Sequence, residues 1–348
     1  MDQHPLLPYE IYRRKFAVSS DDRIATAGSC FAQHIARRLR GNKYNVIDEE
    51  PPPPGLTEQQ ASSFGYGLYS ARYGNIYTVR QLLQLAQESL GLFDPAKLVW
   101  EKNGRYFDSL RPSVEPNGLD DPDMVLEHRK QHLRAVRRVL EKATLFVFTF
   151  GLTEAWEDKD TRTVYPTAPG TIAGSFDPAE IEFKNFSYAE VLADFQAFFQ
   201  IMQGFNKDVR FLLTVSPVPL TATATNDHVL SATTYSKSVL RAVAGYLANN
   251  NPNIDYFPSY EIIAGLPARG FFYESNLRNI SPSGVDVVMR CFFDQHLPIK
   301  DAEPVGAAQL SRGGPAAGSP DLGPVVTRLE RDAEEVVCEE ALLEAFSR

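Results

Sequence analysis

The chain has 348 residues, 43% of them apolar and 23% charged, enough for one large or two medium domains and too apolar for wholesale disorder. Of the net charge of −9, residues 301–348 carry −6, with ten acidic and four basic side chains, and the first 300 residues only −3. A near-neutral body with an acidic tail has no footprint for nucleic acid or an anionic membrane. The N-terminus, MDQHPLLPYEIYRRKF, has no basic start followed by an apolar run, so no secretory signal is expected. No stretch approaches eighteen uninterrupted apolar residues, and no integral membrane segment is expected. Cys30, Cys291 and Cys338 are too few and scattered for a disulfide framework or a zinc site. The reducing cytoplasm is the simplest compartment, and no metal or cofactor is expected.

In chain order, Arg23 to Ala27 reads as a short strand and about Cys30 to Arg40 as a helix. Four prolines, Pro51 to Pro54, follow as a stiff extended run. Residues 79–91 and 123–142 have helical periodicity, and Thr144 to Phe150 (TLFVFTF) has the unbroken apolar character of a strand buried on both faces. Tyr188 to Met202 reads as a helix and Val209 to Val215 as a second buried strand. Ser231 to Leu247 is helical, and Ile254 to Phe257 is a last short strand. This alternation predicts an α/β/α sandwich around a central parallel sheet, forming one domain over residues 1–300. An Ala/Gly/Pro-rich linker is expected over 301–324 and an amphipathic helix over 325–348, where Leu329, Val336 and Leu343 recur every seven residues. That helix either docks on its own domain or binds a protein partner.

Ligands of such sheets sit beyond the carboxyl ends of the strands. After the first strand comes Gly28-Ser29-Cys30-Phe31-Ala32, which places Ser29 at a helix N-terminus. There it is either a cap or a nucleophile whose oxyanion is held by nearby N–H groups. Cys30 is an alternative nucleophile, or simply buried packing. After the second strand, Gly151 allows close backbone approach, and Thr153 and Glu154 offer a donor and a carboxylate. After the third, a polar loop runs through Asp227-His228; His228 is the best-placed general base by residue type, or a solvated loop histidine. His128 and His132 are four apart on one helix, but no Glu stands where a zinc protease needs it. Gly65-Tyr66-Gly67 with Gly74 follows no strand, so it does not make a dinucleotide loop.

The string Gly28-Ser29-Cys30-Phe31-Ala32 resembles the signature of the GSCFA-domain family. Further motifs agree in order: Tyr73-Gly74-Asn75-Ile76-Tyr77, Thr149-Phe150-Gly151 with Leu152-Thr153-Glu154-Ala155-Trp156, Val215-Ser216-Pro217-Val218, Tyr235-Ser236-Lys237, and Tyr256-Phe257-Pro258-Ser259-Tyr260-Glu261. The resemblance covers roughly residues 9 to 296. It implies a branch of the SGNH (GDSL-like) hydrolases, with a flavodoxin-like strand order and esterase or O-acyltransferase chemistry, often on carbohydrates. Under it, Ser29 matches the nucleophile and Gly74 the glycine that lends a backbone N–H to the oxyanion hole. Thr153 and Glu154 fall where the superfamily has its oxyanion asparagine. The usual Asp and His near the C-terminus correspond to Asn276 and Asn279, and neither amide can take up a proton at neutral pH. The base has then moved, to His228 oriented by Glu154 or Glu261, or the usual triad does not operate.

Two functions follow as expectations. One is a serine esterase or O-acyltransferase, acting through an acyl-enzyme on a small-molecule or glycan ester or an acyl donor, with a cytoplasmic place in polysaccharide biosynthesis by analogy. The other is a catalytically weak glycan- or partner-binding module that has lost the triad.

Overall fold

The structure, a computed structural model, describes residues 10–296. The linker and amphipathic helix expected over 301–348 lie outside them. The elements are β1 (Ile24–Gly28), α1 (Phe31–Gly41), α2 (Glu58–Ser63), α3 (Val79–Ser89), β2 (Val99–Lys102), β3 (Arg105–Asp108), α4 (Pro122–Lys142) and β4 (Leu145–Phe150). There follow β5 (Glu154–Asp158), β6 (Val164–Tyr165), β7 (Ile181–Asn185), α5 (Tyr188–Phe205), β8 (Arg210–Val215), α6 (Val229–Asn250), β9 (Ile254–Tyr256), α7 (Ser259–Ala264) and α8 (Pro282–His296).

The central sheet runs β1-β4-β8-β9, with every pair parallel. On the outer side of β1, Val46 forms one further parallel bridge with Ile24. The chain therefore crosses to the edge after β1 and returns past it to β4, which is the flavodoxin-like order expected from the resemblance.

Alternation along each strand divides the core. Ala25, Ala27, Phe146, Phe148, Phe150, Phe211, Leu213 and Val215 share one cluster with apolar faces of α3, α4, α5 and α6. Ile24, Leu145, Val147 and Leu212 pack with Phe31, Ile35 and Leu39 of α1, Ile262 of α7, and Val285, Val288 and Phe292 of α8. These are the three layers of an α/β/α sandwich, whose strands look continuously apolar because both faces are covered. Helix starts follow local chemistry: Thr57, Thr78 and Ser187 each form a capping box, with Gln60, Gln81 and Glu190.

Two antiparallel units interrupt this frame and are absent from the periodicity reading. The hairpin β2–β3 closes on Asn103-Gly104, both with positive φ (53° and 74°), which is the preferred pair for a two-residue turn. A three-stranded sheet of order β6-β5-β7 emerges directly from the turn after β4. Its strands are short, and β5 and β7 are only partly buried, so they leave no long apolar run to detect. Among the described residues, no helix is long and apolar enough to cross a membrane.

Candidate active site around Ser29

The carboxyl ends of β1 and β4 meet at two glycines. Gly28 has φ +139°, and a Cβ there would stand 2.5 Å from the Thr149 carbonyl oxygen, so only glycine lets β1 turn this tightly beside β4. A Cβ on Gly151 would lie 2.8 Å from the Tyr77 carbonyl oxygen and 3.0 Å from Cβ of Ser29. The turn after β4 is thus pressed directly against the serine.

Ser29 is 3% exposed. Its N–H points to the Thr149 carbonyl at 3.4 Å, and its hydroxyl has no hydrogen-bond partner among the described residues. Helix α1 is capped by Cys30, without a side-chain bond, so Ser29 does not serve as the cap. Cys30 is itself buried. A buried hydroxyl left without a partner is unfavourable, and native proteins tolerate it chiefly where the group has other work.

The third wall is the loop Tyr69–Tyr77. Gly74 has φ +71°, and two residues later the Ile76 N–H donates to the Gly28 carbonyl at 2.9 Å. Asn75 is the hub of this wall. Its Oδ1 accepts from the Tyr69 hydroxyl at 2.6 Å and from Gln33 Nε2 at 3.1 Å, while its Nδ2 lies 3.3 Å from the Tyr77 hydroxyl. The Tyr69 hydroxyl is also 3.2 Å from the Ser29 carbonyl. Gln33 and Tyr69 were not singled out from the sequence, and Asn75 appears there only within the Tyr73–Tyr77 motif, because their roles depend on contacts across the fold.

The fourth wall is the turn after β4. Thr153 is fully buried; its N–H donates to Ser236 Oγ at 3.0 Å, and its own hydroxyl has no partner among the described residues. Glu154 accepts from the Thr223 hydroxyl at 2.8 Å, which ties β5 to the loop after β8. Tyr273 and Arg278 hold the same loop from the other side, through the Pro217 carbonyl and the Thr221 hydroxyl.

None of the remaining expected site residues bonds to the serine hydroxyl. His228 is exposed and caps α6, its Nδ1 accepting from the Leu230 N–H at 3.2 Å. In that geometry the neutral ring carries its proton on Nε2, so the outward nitrogen is a donor. Acting as a base toward Ser29 requires release of this cap. Asn276 and Asn279 are exposed; Asn276 Oδ1 accepts from the N–H groups of Arg278 and Asn279, each at 3.0 Å, closing a local turn. Glu261, the alternative orienting carboxylate, is occupied by Arg241 and by the Tyr256 hydroxyl.

A second buried polar group stands behind the Tyr69–Tyr77 loop. His132 Nδ1 is 2.7 Å from Glu50 Oε2, Arg111 pairs with Asp108, and Arg129 bridges Asp108 and Glu88. Burial, reinforced by the neighbouring Arg111 charge, lowers the His132 pKa to about 4. Arg129 and Arg111 outweigh burial at Asp108 and hold its carboxyl down at about 2. His132 lines a small cavity with Tyr73, Asn75 and Gln81. Among the described residues, no group of three or more His, Cys, Asp or Glu could hold a metal ion, and His128 is 3.7 Å from Glu115.

Two solved structures are weakly similar to part of this chain. One, from Streptococcus pneumonia, is provisionally described as a platelet activating factor; identity is 14%, TM-score 0.27, and the overlap covers 49% of this chain and 66% of the other. The second is a carbohydrate esterase family 3 protein from Talaromyces cellulolyticus, at 10% identity and TM-score 0.26, covering 63% of this chain and 88% of the other. Overlaps this slight carry no functional argument. No curated protein matches the chain. The GSCFA family model does match, over residues 23–292, well over half of the sequence, and the chain belongs to the GSCFA family.

Proposed function

We propose that the protein is a serine-dependent ester hydrolase or O-acyltransferase with Ser29 as nucleophile. The observation that carries this reading is the Ser29 hydroxyl itself, buried and without a partner at the carboxyl edge of a parallel sheet. Ser29 Oγ attacks the acyl carbonyl, and the carbonyl π pair moves onto oxygen as the Oγ–acyl bond forms. The hydroxyl proton passes to a base and then to the departing alcohol, leaving an acyl-enzyme. Water or an acceptor hydroxyl then takes the acyl group and restores Ser29. The Ser29 N–H is held only at 3.4 Å by Thr149 and can turn to the oxyanion, joined by Gly74 and Thr153. His228 is the base assigned here, acting once its bond to the Leu230 N–H is released. Because Ser29 is so nearly enclosed, a substrate reaches it only if a surrounding loop yields. Acylated carbohydrates are the substrate class to which the superfamily resemblance points.

The test is turnover of a short-chain aryl acetate, together with labelling by a serine-reactive fluorophosphonate. Wild type, Ser29→Ala and His228→Asn are compared, since asparagine keeps the cap and removes the imidazole. Loss in both variants supports a serine enzyme with a relocated base. An unlabelled Ser29 in folded wild type would sink the catalytic reading. With no imidazole bonded to Ser29 among the described residues, the alternative of a binding module would then be favoured.

A further inference from the structure

Lys237 is among the most completely buried side chains in the molecule, at 1% exposure, and its Nζ donates to the Gly151 carbonyl at 2.7 Å. A lysine amine withdrawn from water to this degree is expensive to keep, so its position calls for a reason beyond packing. Gly151 is the residue pressed against Cβ of Ser29. The preceding residue of α6, Ser236, is also fully buried and accepts the Thr153 N–H. Two consecutive side chains of one helix therefore grip the turn after β4 from behind.

The grip fixes that turn almost completely. The Gly151 carbonyl is taken by Lys237, and the Leu152 N–H at the other end of the same peptide donates to the Tyr77 carbonyl at 2.8 Å. The Thr153 N–H goes to Ser236, and the Thr153 carbonyl accepts from the Phe186 N–H at 2.8 Å. With these backbone groups committed, neither the Leu152 nor the Thr153 amide is available to an oxyanion. The Thr153 hydroxyl, buried and without a partner among the described residues, is the donor left over.

We propose that Ser236 and Lys237 are positioning residues that lock the Gly151–Thr153 turn against Ser29, so that the Thr153 hydroxyl is the side-chain donor to the oxyanion formed there. This deepens the Ser29 reading and rests on it. The peptide that Lys237 fixes is preorganised before negative charge develops.

The test uses the full chain and reads two quantities. The first is the rate of Ser29 phosphonylation by the fluorophosphonate in wild type, Thr153→Val, Thr153→Ser, Ser236→Ala, Lys237→Met and the Thr153→Val/Lys237→Met double variant. Thr153→Val and Lys237→Met each slow labelling about 10²-fold, the usual loss for one oxyanion donor. Thr153→Ser stays within about 3-fold of wild type, and the double variant is no slower than Thr153→Val alone, since Lys237 acts through Thr153. The second is amide exchange at Leu152 and Thr153, which quickens selectively in Ser236→Ala and Lys237→Met. Additive losses in the double variant, or wild-type labelling by Lys237→Met, would overturn the proposal. Should Lys237→Met not fold, Ser236→Ala carries the same two readouts. Should wild type not label at all, the nucleophile reading falls, and unchanged exchange in Ser236→Ala would overturn the positioning as well.

Discussion

Two buried polar regions of this molecule are handled in opposite ways. Between α3, α4 and the β2–β3 hairpin, Glu88, Asp108, Arg111 and Arg129 form a chain of mutual ion pairs; Glu50 joins it through Arg111 and holds His132 by a hydrogen bond. At the carboxyl ends of β1 and β4, by contrast, the hydroxyls of Ser29, Thr149 and Thr153 are buried with no partner among the described residues. The first region contains most of the conspicuous chemistry, with acids, bases and a histidine of lowered pKa. It is nevertheless built like a structural clamp, because each charge answers another, and of these side chains only His132, through its buried Nε2, keeps a nitrogen without a partner among the described residues. The second contains only weak groups, yet these are the ones not spent on folding. Perturbed titration marks candidate sites, but whether a group is already satisfied decides between catalysis and architecture.

The comparison breaks most directly at Ser29. Replacing Ser29 by alanine is expected to reduce fluorophosphonate labelling by about 10³-fold or more while leaving the thermal midpoint within about 2 °C, because no intramolecular hydrogen bond is lost. Mass spectrometry and calorimetry on the same preparation check both halves. A large fall in midpoint would mean that the hydroxyl supports the fold after all.

The reverse pattern is expected in the clamp. Arg129→Met strands the carboxylates of Glu88 and Asp108 and should lower stability by about 3–5 kcal/mol in urea unfolding. A loss below about 1 kcal/mol would place the network outside the stabilising core.

Acid acts through protonation both on the clamp, at His132, and on His296 at the end of α8. The pKa values of His132 and His296 are both lowered to about 4, chiefly by burial. Between that value and about 6.5, the unfolded chain binds protons that the folded chain refuses, so stability falls as pH falls. Each histidine contributes up to about 1.4 kcal/mol per pH unit in that window. Unfolding curves at pH 7, 6 and 5 should show a shallower slope in His132→Gln than in wild type; equal slopes would mean that His132 is protonated in the folded state.

The smallest effect tests the histidine that looked most catalytic. His228→Ala should lower stability by about 0.5–1 kcal/mol through loss of the α6 cap, and His228→Asn should recover most of it. If both variants are equally stable, the bond to the Leu230 N–H does not matter, and the ring is free to turn elsewhere.

Much of the frame was legible before any coordinates. Four strands and the long helices announced themselves through runs such as Leu145–Phe150 and through helical periodicity such as that from Tyr188 onward, because strand and helix periodicity is written into nearest neighbours. Gly28-Ser29-Cys30 was legible for the same reason, as a small-residue turn between a strand and a helix. The Asn103-Gly104 hairpin was equally local and went unread only because its flanking strands are four residues each. Sequence determined the layers, the parallel sheet and the edge at which chemistry can occur. What it did not determine was which polar groups would be spent. His228 reads as a free base until its ring is seen holding the Leu230 N–H. Lys237 reads as an ordinary helical lysine until its amine is seen 86 positions away in sequence, on the carbonyl of Gly151. Only tertiary structure decides such questions, because the partner that satisfies a buried polar group comes from a distant segment, and no local pattern records which segments the fold will bring together.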